Sequence, residues 1–175
     1  MIKTVEQGKY HAIVLAVAHD EFLQLGIDGI HALGANQHVL YDTNIVSELR
    51  CKKPHGAVIA WLKSVDDNDL YLSAVTLAEV QAGIELTRDQ DSERAEELQH
   101  WLDSVAKTYN ILSMDSTAFR TWATLMHGCS DTLYEDAMIA ATAKVNKLAV
   151  VTRNVTDFKN FDVEIVNPFD YKGNL

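Results

Sequence analysis

The stretch Val39-Leu40-Tyr41-Asp42-Thr43-Asn44 decides the fold of this chain. It begins with the short apolar run Val39–Tyr41, which is typical of a buried strand, and it ends in polar residues that favour a turn into a helix. Because helical patterns separate further strand-like runs, the sequence predicts an α/β fold with a central parallel sheet and right-handed crossovers. These further runs are Leu70–Ser73, Asn110–Leu112, Ala149–Thr152 and Glu164–Val166.

Helix signals lie between the predicted strands. Thr43 or Asn44 can cap a helix after the first strand, and Pro54 opens a second helix because proline favours the first turn. Thr76 caps a third helix, which carries Glu79. Amphipathic or alanine-rich patterns predict longer helices at Asp91–Ala106, Ser116–Met126 and Leu133–Lys144.

The composition is that of an ordinary globular chain with an acidic balance. Of the 175 residues, 47% are hydrophobic and 23% are charged, which is enough for one domain with a sizeable core. The formal net charge of -10 argues against a nucleic-acid binder that works through a broad basic surface. It leaves room for a nuclease whose acids hold a metal, and for a basic protein partner.

No feature of the sequence predicts a membrane segment or export. The apolar run Ala12–Ala18 is too short to span a bilayer, and it lacks the basic flank and cleavage site of a secretory signal. Cys51 and Cys129 have no metal-ligand spacing, which is typical of reduced thiols. We therefore expect a cytoplasmic protein that does not bind a membrane.

Carboxylates far apart in the sequence stand where an α/β fold brings segments together. Asp42 follows the first strand, Glu79 has apolar neighbours, and Asp136 opens the most alanine-rich helix. Asn154 and Asp157 follow a later strand-like run. Because the carboxyl ends of parallel strands converge on one crevice, these acids are expected to meet, and they repel one another unless a cation is present. The pattern predicts a divalent-metal site, and such a site favours phosphodiester hydrolysis.

Each acid also has a purely structural interpretation. Asp42 can be a helix N-cap, Glu79 a solvated helix residue, and Asp136 a charge that favours the helix dipole. Asp157 can be a turn residue. Their joint placement favours a metal, because buried acids need a partner and no Lys or Arg is fixed near them in sequence.

From Val39 onward the chain resembles the PIN-domain ribonucleases, in particular the VapC-type toxins of bacterial toxin–antitoxin pairs. The resemblance implies a PIN-like three-layer fold over residues 39–175 and an endoribonuclease that depends on Mg²⁺ or Mn²⁺. It also implies an RNA substrate, a homodimer and a cognate antitoxin protein that blocks the site. The matching segments are Leu40–Asn44 with Ser47–Arg50, Leu72–Glu79, Asp136–Ala143, Val151–Asn154 with Asp157–Phe158, and Val166–Phe169.

The resemblance implies roles for particular residues. Asp42, Glu79 and Asp136 match the family acids and are the expected catalytic groups and metal ligands. At the fourth acidic position, Asn154 occupies the first place that the family uses, and Asp157 is the nearest acid and is taken as the fourth catalytic acid. Either residue can fill that position, and the threonines named next can equally be structural. The predicted substrate-positioning residues are Thr43, Asn44, Thr152, Arg153 and Asn154.

Residues 1–38 resemble a different family. The segment Lys9–Phe22, with Leu25–Gly26, is similar to a strand–helix piece near the end of nucleotide-sugar dehydrogenases of the UDP-sugar type. This resemblance implies a fused fragment, with a strand at Ala12–Ala18 and a helix from Asp20, joined to a PIN domain at 39–175. The fragment lacks the Gly-rich dinucleotide fingerprint, so no dehydrogenase activity is expected.

Two other functions stay open at this point. The first is a catalytically weak or inactive PIN-fold module that binds RNA or a protein, which the neutral Asn154 and the N-terminal segment favour. The second is a non-catalytic fusion that carries a nucleotide-sugar dehydrogenase fragment. Metal-dependent RNA cleavage separates the nuclease from the module, and UDP-sugar binding would support the fragment.

Overall fold

The computed structural model describes residues 39–51, 53–65 and 70–172. The chain divides between residues 37 and 38, and every feature below belongs to the unit that spans 38–175. The N-terminal strand–helix unit predicted within 1–38 lies outside the described residues.

A five-stranded parallel sheet forms the centre of the described part of the chain. The order of its strands is β3-β2-β1-β4-β5. The predicted central parallel sheet is confirmed, and the five strands predicted between residues 39 and 166 match to within one residue at either end. The strands are β1 (Val39–Tyr41), β2 (Leu70–Ser73), β3 (Asn110–Leu112), β4 (Ala149–Val151) and β5 (Ile165–Val166).

Seven α-helices and two short 3-10 turns connect the strands within the described ranges. The turns lie at Asp131–Leu133 and Pro168–Asp170. Among these helices, none combines the length and the apolar character that a membrane crossing requires. The helices are α1 (Thr43–Leu49), α2 (Gly56–Leu62), α3 (Ala74–Arg88), α4 (Ser92–Thr108), α5 (Ser116–Leu125), α6 (Tyr134–Asn146) and α7 (Val155–Phe158).

Each face of the sheet has its own core, because successive strand side chains point to opposite faces. Val39 and Tyr41 pack on one face with residues of α1, α4 and Trp61 of α2. Leu40 packs on the other face with the alanine-rich side of α6 and Phe158 of α7. Full burial of a side chain such as Leu40 contributes about 2 kcal/mol. Helices thus cover both faces, and the predicted three-layer α/β architecture is confirmed.

Two helices begin directly after a strand, and the strand-end residue caps them. Asp42, rather than Thr43 or Asn44, caps α1, and its side chain accepts the Thr43 N–H. Ser73 caps α3 through a hydrogen bond from Val75 N. The predicted cap Thr76 was therefore wrong, because the helix has already begun there and Thr76 is buried inside it.

Helix α2 begins two residues later than predicted. Its first residue is Gly56, and its N-cap is His55, whose backbone is extended. Pro54 therefore stands before the cap instead of in the first turn. A fixed proline φ suits the extended approach to a helix as well as its first turn, so the sequence signal does not separate the two.

The strand order changes direction next to β1. The chain adds β2 and then β3 on one side of β1 and later places β4 on the other side. Tyr41 and Val151, the last residues of β1 and β4, are paired in register. The residues that follow them are Asp42 and Thr152, so both stand at the topological switch point, where open α/β sheets bind ligands.

Candidate active site

Asp42 is held rigidly at the carboxyl end of β1. Its side chain is only 5% exposed. Its peptide N–H donates to the carbonyl of Val151 on β4 at 3.0 Å, and its Oδ1 accepts the N–H of Thr43 at 2.6 Å. Burial raises the pKa of Asp42, and hydrogen bonds from Thr152, Thr43 and Asn44 oppose that rise. One carboxylate thus serves both as the cap of α1 and as an acid of the crevice.

Asn44 and Thr152 orient the second oxygen of Asp42. The Thr152 hydroxyl donates to Asp42 Oδ2 at 2.7 Å, and the Asn44 amide donates to the same oxygen. The Asn44 amide also donates to the Thr152 hydroxyl at 3.0 Å, which closes a triangle of three side chains. Both N–H bonds of the amide and the O–H of the threonine are used within this triangle.

The remaining acceptors of Asn44 and Thr152 also have partners. Asn44 Oδ1 accepts the N–H of Arg153 at 3.1 Å, and the Thr152 hydroxyl oxygen accepts the N–H of Asn154 at 2.8 Å. Asn44 and Thr152 were predicted to position substrate. The structure uses their side chains to fix Asp42 and the loop after β4.

Glu79 reaches the crevice from α3, and Thr43 holds it there. The Thr43 hydroxyl donates to Glu79 Oε2 at 2.6 Å. Burial raises the pKa of Glu79, the hydrogen bond from Thr43 lowers it, and the charges of Asp42 and Glu135 raise it. Thr43, also predicted to position substrate, therefore links α1 to the acid of α3.

The charges of the other acids of the site all raise the pKa of Asp136. Burial is the largest influence, and the charges of Asp42, Asp157, Glu79 and Glu135 add to it, raising the pKa of Asp136 to about 6. Every one of these influences acts in the same direction. The three expected acids therefore influence one another electrostatically, and their roles as catalytic groups and metal ligands stay predictions.

Asp157 belongs to the same group of interacting acids, whereas Asn154 supports it. The charge of Asp157 raises the pKa of both Asp42 and Asp136. The Asn154 amide donates to Asp157 Oδ2, and both residues stand at the start of α7. Asp157 therefore adds negative charge to the site and Asn154 holds its carboxylate, and which of the two fills the fourth position stays a prediction.

Glu135 adds negative charge near the site, a contribution that the sequence patterns did not indicate. Its charge raises the pKa of both Glu79 and Asp136, although its own side chain is exposed. Its position directly before Asp136 in the chain was the available signal. The charge of Glu135 therefore adds to the mutual repulsion of the four predicted acids.

The donor set fits a hard divalent cation. It consists of carboxylate oxygens, with no thiol or imidazole, and its charges destabilise one another. Within the part of the chain that the structure describes, no three His, Cys, Asp or Glu side chains are close enough to surround an ion by themselves. Mg²⁺ usually keeps several waters and takes one or two carboxylates, so this donor set would supply part of its coordination shell.

Thr43→Val is expected to lower the rate of the predicted metal-dependent phosphodiester hydrolysis by about tenfold. The substitution keeps the branched shape but removes the hydroxyl that orients Glu79. Steady-state rates at saturating metal measure the effect. Thr43→Ser keeps the hydroxyl and serves as the matched control, which should stay near the wild-type rate. Equal rates in both variants would show that Glu79 needs no orientation by Thr43.

A comparison with models of protein families shows to which family the chain belongs. The family model described as PIN domain matches residues 39–164. The chain belongs to the PIN-domain family. The matched range begins at β1 and includes all four predicted catalytic acids of this PIN domain.

Curated relatives match the PIN domain over nearly their full length. Toxin FitB from Neisseria gonorrhoeae is 34% identical over 140 residues, which are 75% of this chain and 98% of that protein. VapC ribonuclease Y4jK from Sinorhizobium fredii is 32% identical over 139 residues, again 75% and 98%. The crystal structure of FitAcB from Neisseria gonorrhoeae has a TM-score of 0.67 at 34% identity, covering 75% of this chain and 99% of that chain. The resemblance to VapC-type PIN-domain proteins is confirmed.

The N-terminal resemblance is also confirmed. A UDP-N-acetyl-D-glucosamine 6-dehydrogenase from Pseudomonas aeruginosa is 49% identical over 41 residues, which are 23% of this chain and 10% of that enzyme. Because the match covers only a tenth of the enzyme, it identifies a shared segment and not a shared activity.

Proposed function

We propose that this PIN domain is a metal-dependent endoribonuclease and the toxin component of a type II toxin–antitoxin system. The observation that carries the proposal is the acidic crevice at the switch point of the sheet, where burial and neighbouring carboxylates raise the pKa of Asp136 to about 6. Two relatives support it, since one is named a toxin and the other a VapC ribonuclease.

The proposed catalytic acids are Asp42, Glu79, Asp136 and Asp157. Asp42 and Asp136 would hold the metal directly, and Glu79 directly or through water. A bound Mg²⁺ or Mn²⁺ would neutralise charge on the phosphate and acidify the attacking water. Without a cation the same carboxylates repel an RNA phosphate, so the crevice itself couples substrate binding to metal binding.

We infer that a cognate antitoxin neutralises the domain and that the domain forms a homodimer. The net charge of -10 favours a partner with basic side chains at the crevice. We also infer that residues 39–175 form the nuclease and residues 1–38 a separate extension. Co-purification with the product of the neighbouring open reading frame tests the antitoxin, and light scattering of the purified chain tests the homodimer.

Removal of divalent metal is expected to reduce RNA cleavage to background, because the carboxylates of the crevice raise one another's pKa values and need a cation to bind an anionic strand. A 5′-labelled oligoribonucleotide is incubated with the full chain and EDTA, and Mg²⁺ or Mn²⁺ is then added in excess to restore cleavage. DNA of the same sequence is the substrate control. If no cleavage occurs over a range of both metals, the non-cutting RNA- or protein-binding module becomes the better function.

A further inference from the structure

An arginine, a phenylalanine and a histidine from separate segments meet beside the crevice. The guanidinium carbon of Arg153 lies 4.8 Å from the centroid of the Phe169 ring. The ring centroids of Phe169 and His55 are 5.2 Å apart. Arg153 follows β4, Phe169 lies in the 3-10 turn after β5, and His55 caps α2. One ring thus supports both polar side chains, and we name the three residues the Arg–Phe–His cluster.

The backbone places the arginine of this cluster close to Asp42. The N–H of Arg153 donates to Asn44 Oδ1 at 3.1 Å. The preceding residue, Thr152, donates its hydroxyl to Asp42 at 2.7 Å. The side chain of Arg153 therefore starts close to Asp42, from a peptide N–H that Asn44 holds and directly after the threonine that contacts the Asp42 carboxylate.

The arginine of the cluster is exposed and has no acidic partner among the residues that the structure describes. None of the ion pairs that join described residues includes Arg153, although the chain has a net charge of -10 and acids stand close to its backbone. The guanidinium lies on an aromatic ring instead. Such stacking orients the group and leaves its N–H edge open to an anion.

We propose that Arg153 and His55, supported by Phe169, bind a backbone phosphate of RNA next to the phosphate that is cleaved. The proposal rests on the endoribonuclease function above. An anionic strand that enters an acidic crevice needs positive charge and hydrogen-bond donors at the rim. Arg153 can contact phosphate oxygens through two N–H groups, and the His55 imidazole can add a further donor.

Arg153→Ala tests the proposal in the full chain with a short single-stranded oligoribonucleotide. We expect KM to rise about tenfold and kcat to stay within about twofold, because the contact is to a phosphate that does not react. The slope of log affinity against log salt is expected to fall by about 0.7, the value for one phosphate contact on a single strand. A purely structural role of Arg153 would not change that slope.

Three further variants sharpen the test. Arg94→Ala removes the same charge from α4, where Arg94 is already paired with Glu97, and should change neither KM nor the slope. Phe169→Leu keeps the apolar contact but removes the ring, and should raise KM less than Arg153→Ala does. Arg153→Lys keeps the charge without the planar group, and provides a measurement if Arg153→Ala does not fold.

The outcomes separate this subsite from the function on which it rests. Unchanged KM and salt slope in Arg153→Ala, with cleavage intact, overturn the subsite and leave the nuclease standing. If the wild type binds RNA without cutting it and Arg153→Ala weakens that binding, the nuclease is wrong and the subsite is right. A wild type that neither cuts nor binds RNA overturns both.

Discussion

Asp136→Asn is expected to lower metal-dependent RNA cleavage at least about a thousandfold while it stabilises the metal-free protein. The loss corresponds to about 4 kcal/mol of transition-state stabilisation. The amide is neutral and is a poor ligand for a hard dication, so the crevice loses both a ligand and a charge. Single-turnover rates at saturating Mg²⁺ measure the loss.

The gain in stability follows from the pKa of Asp136, which is raised from 3.8 to about 6 in the folded protein. The folded state then binds this proton more tightly than the unfolded chain, so metal-free stability falls as pH rises from about 4 to about 6. The shift corresponds to about 3 kcal/mol, which solvent screening of a half-buried carboxyl reduces to about 1–2 kcal/mol. Asp136→Asn removes this loss at neutral pH.

Urea unfolding of the metal-free protein between pH 4 and 7 measures the effect. Asp103→Asn is the control, because Asp103 is exposed on α4 and, among the described residues, its side chain accepts a hydrogen bond from Gln99 alone. The control should keep wild-type cleavage and the wild-type dependence on pH. An Asp136→Asn protein that is inactive and less stable than wild type at pH 7 would contradict the electrostatic account of the crevice.

Asp42→Asn is expected to abolish cleavage to a similar extent but to destabilise the fold. The side chain of Asp42 accepts hydrogen bonds from Thr43 N–H, Asn44 and Thr152. An asparagine presents an N–H₂ group where one of these acceptor oxygens stood, so donors face donors. Burial raises the pKa of Asp42, so removing its charge relieves some unfavourable burial, but the lost acceptor is the larger effect and the free energy of unfolding should fall by about 1–2 kcal/mol.

The two variants form a matched pair, since each replaces one carboxylate by an amide. Cleavage rates, metal-induced shifts in melting temperature and urea unfolding are measured side by side. Both should lose cleavage and the metal-induced shift, and their metal-free stabilities should move in opposite directions. Stabilities that move together would show that Asp42 is not the hydrogen-bonded centre of the crevice.

The strands and the central acids could be predicted because each depends on a local pattern. Strands covered on both faces are continuous apolar runs, such as Val39–Tyr41 and Ala149–Val151. An acid directly after such a run, like Asp42, is carried to the carboxyl edge by the topology itself. Asp136 could be predicted from a different local pattern, because the small residues after it indicate a closely packed helix.

Contacts between distant segments could not be predicted. The sequence identifies Thr43 and Asn44 as polar residues after a strand, but it does not show that Thr43 holds Glu79, 36 residues away. Nor does it show that Phe169 lies beneath Arg153. Such pairs depend on the directions of side chains from different elements, which no local pattern records. The N-cap of α3 is Ser73 and not the predicted Thr76 for a related reason, since serine and threonine can both cap a helix.

The hydrogen bond from Thr152 to Asp42 joins residues 110 positions apart, and it has a consequence for biosynthesis. Strand β1 lies between β2 and β4, so the growing chain cannot complete the centre of its sheet until β4 has left the ribosome. A chain that stops before Ala149 already contains Asp42, Glu79 and Asp136 but lacks the strand that aligns the first of them. The order of synthesis therefore delays the assembled crevice until β4 has been made and has joined the sheet.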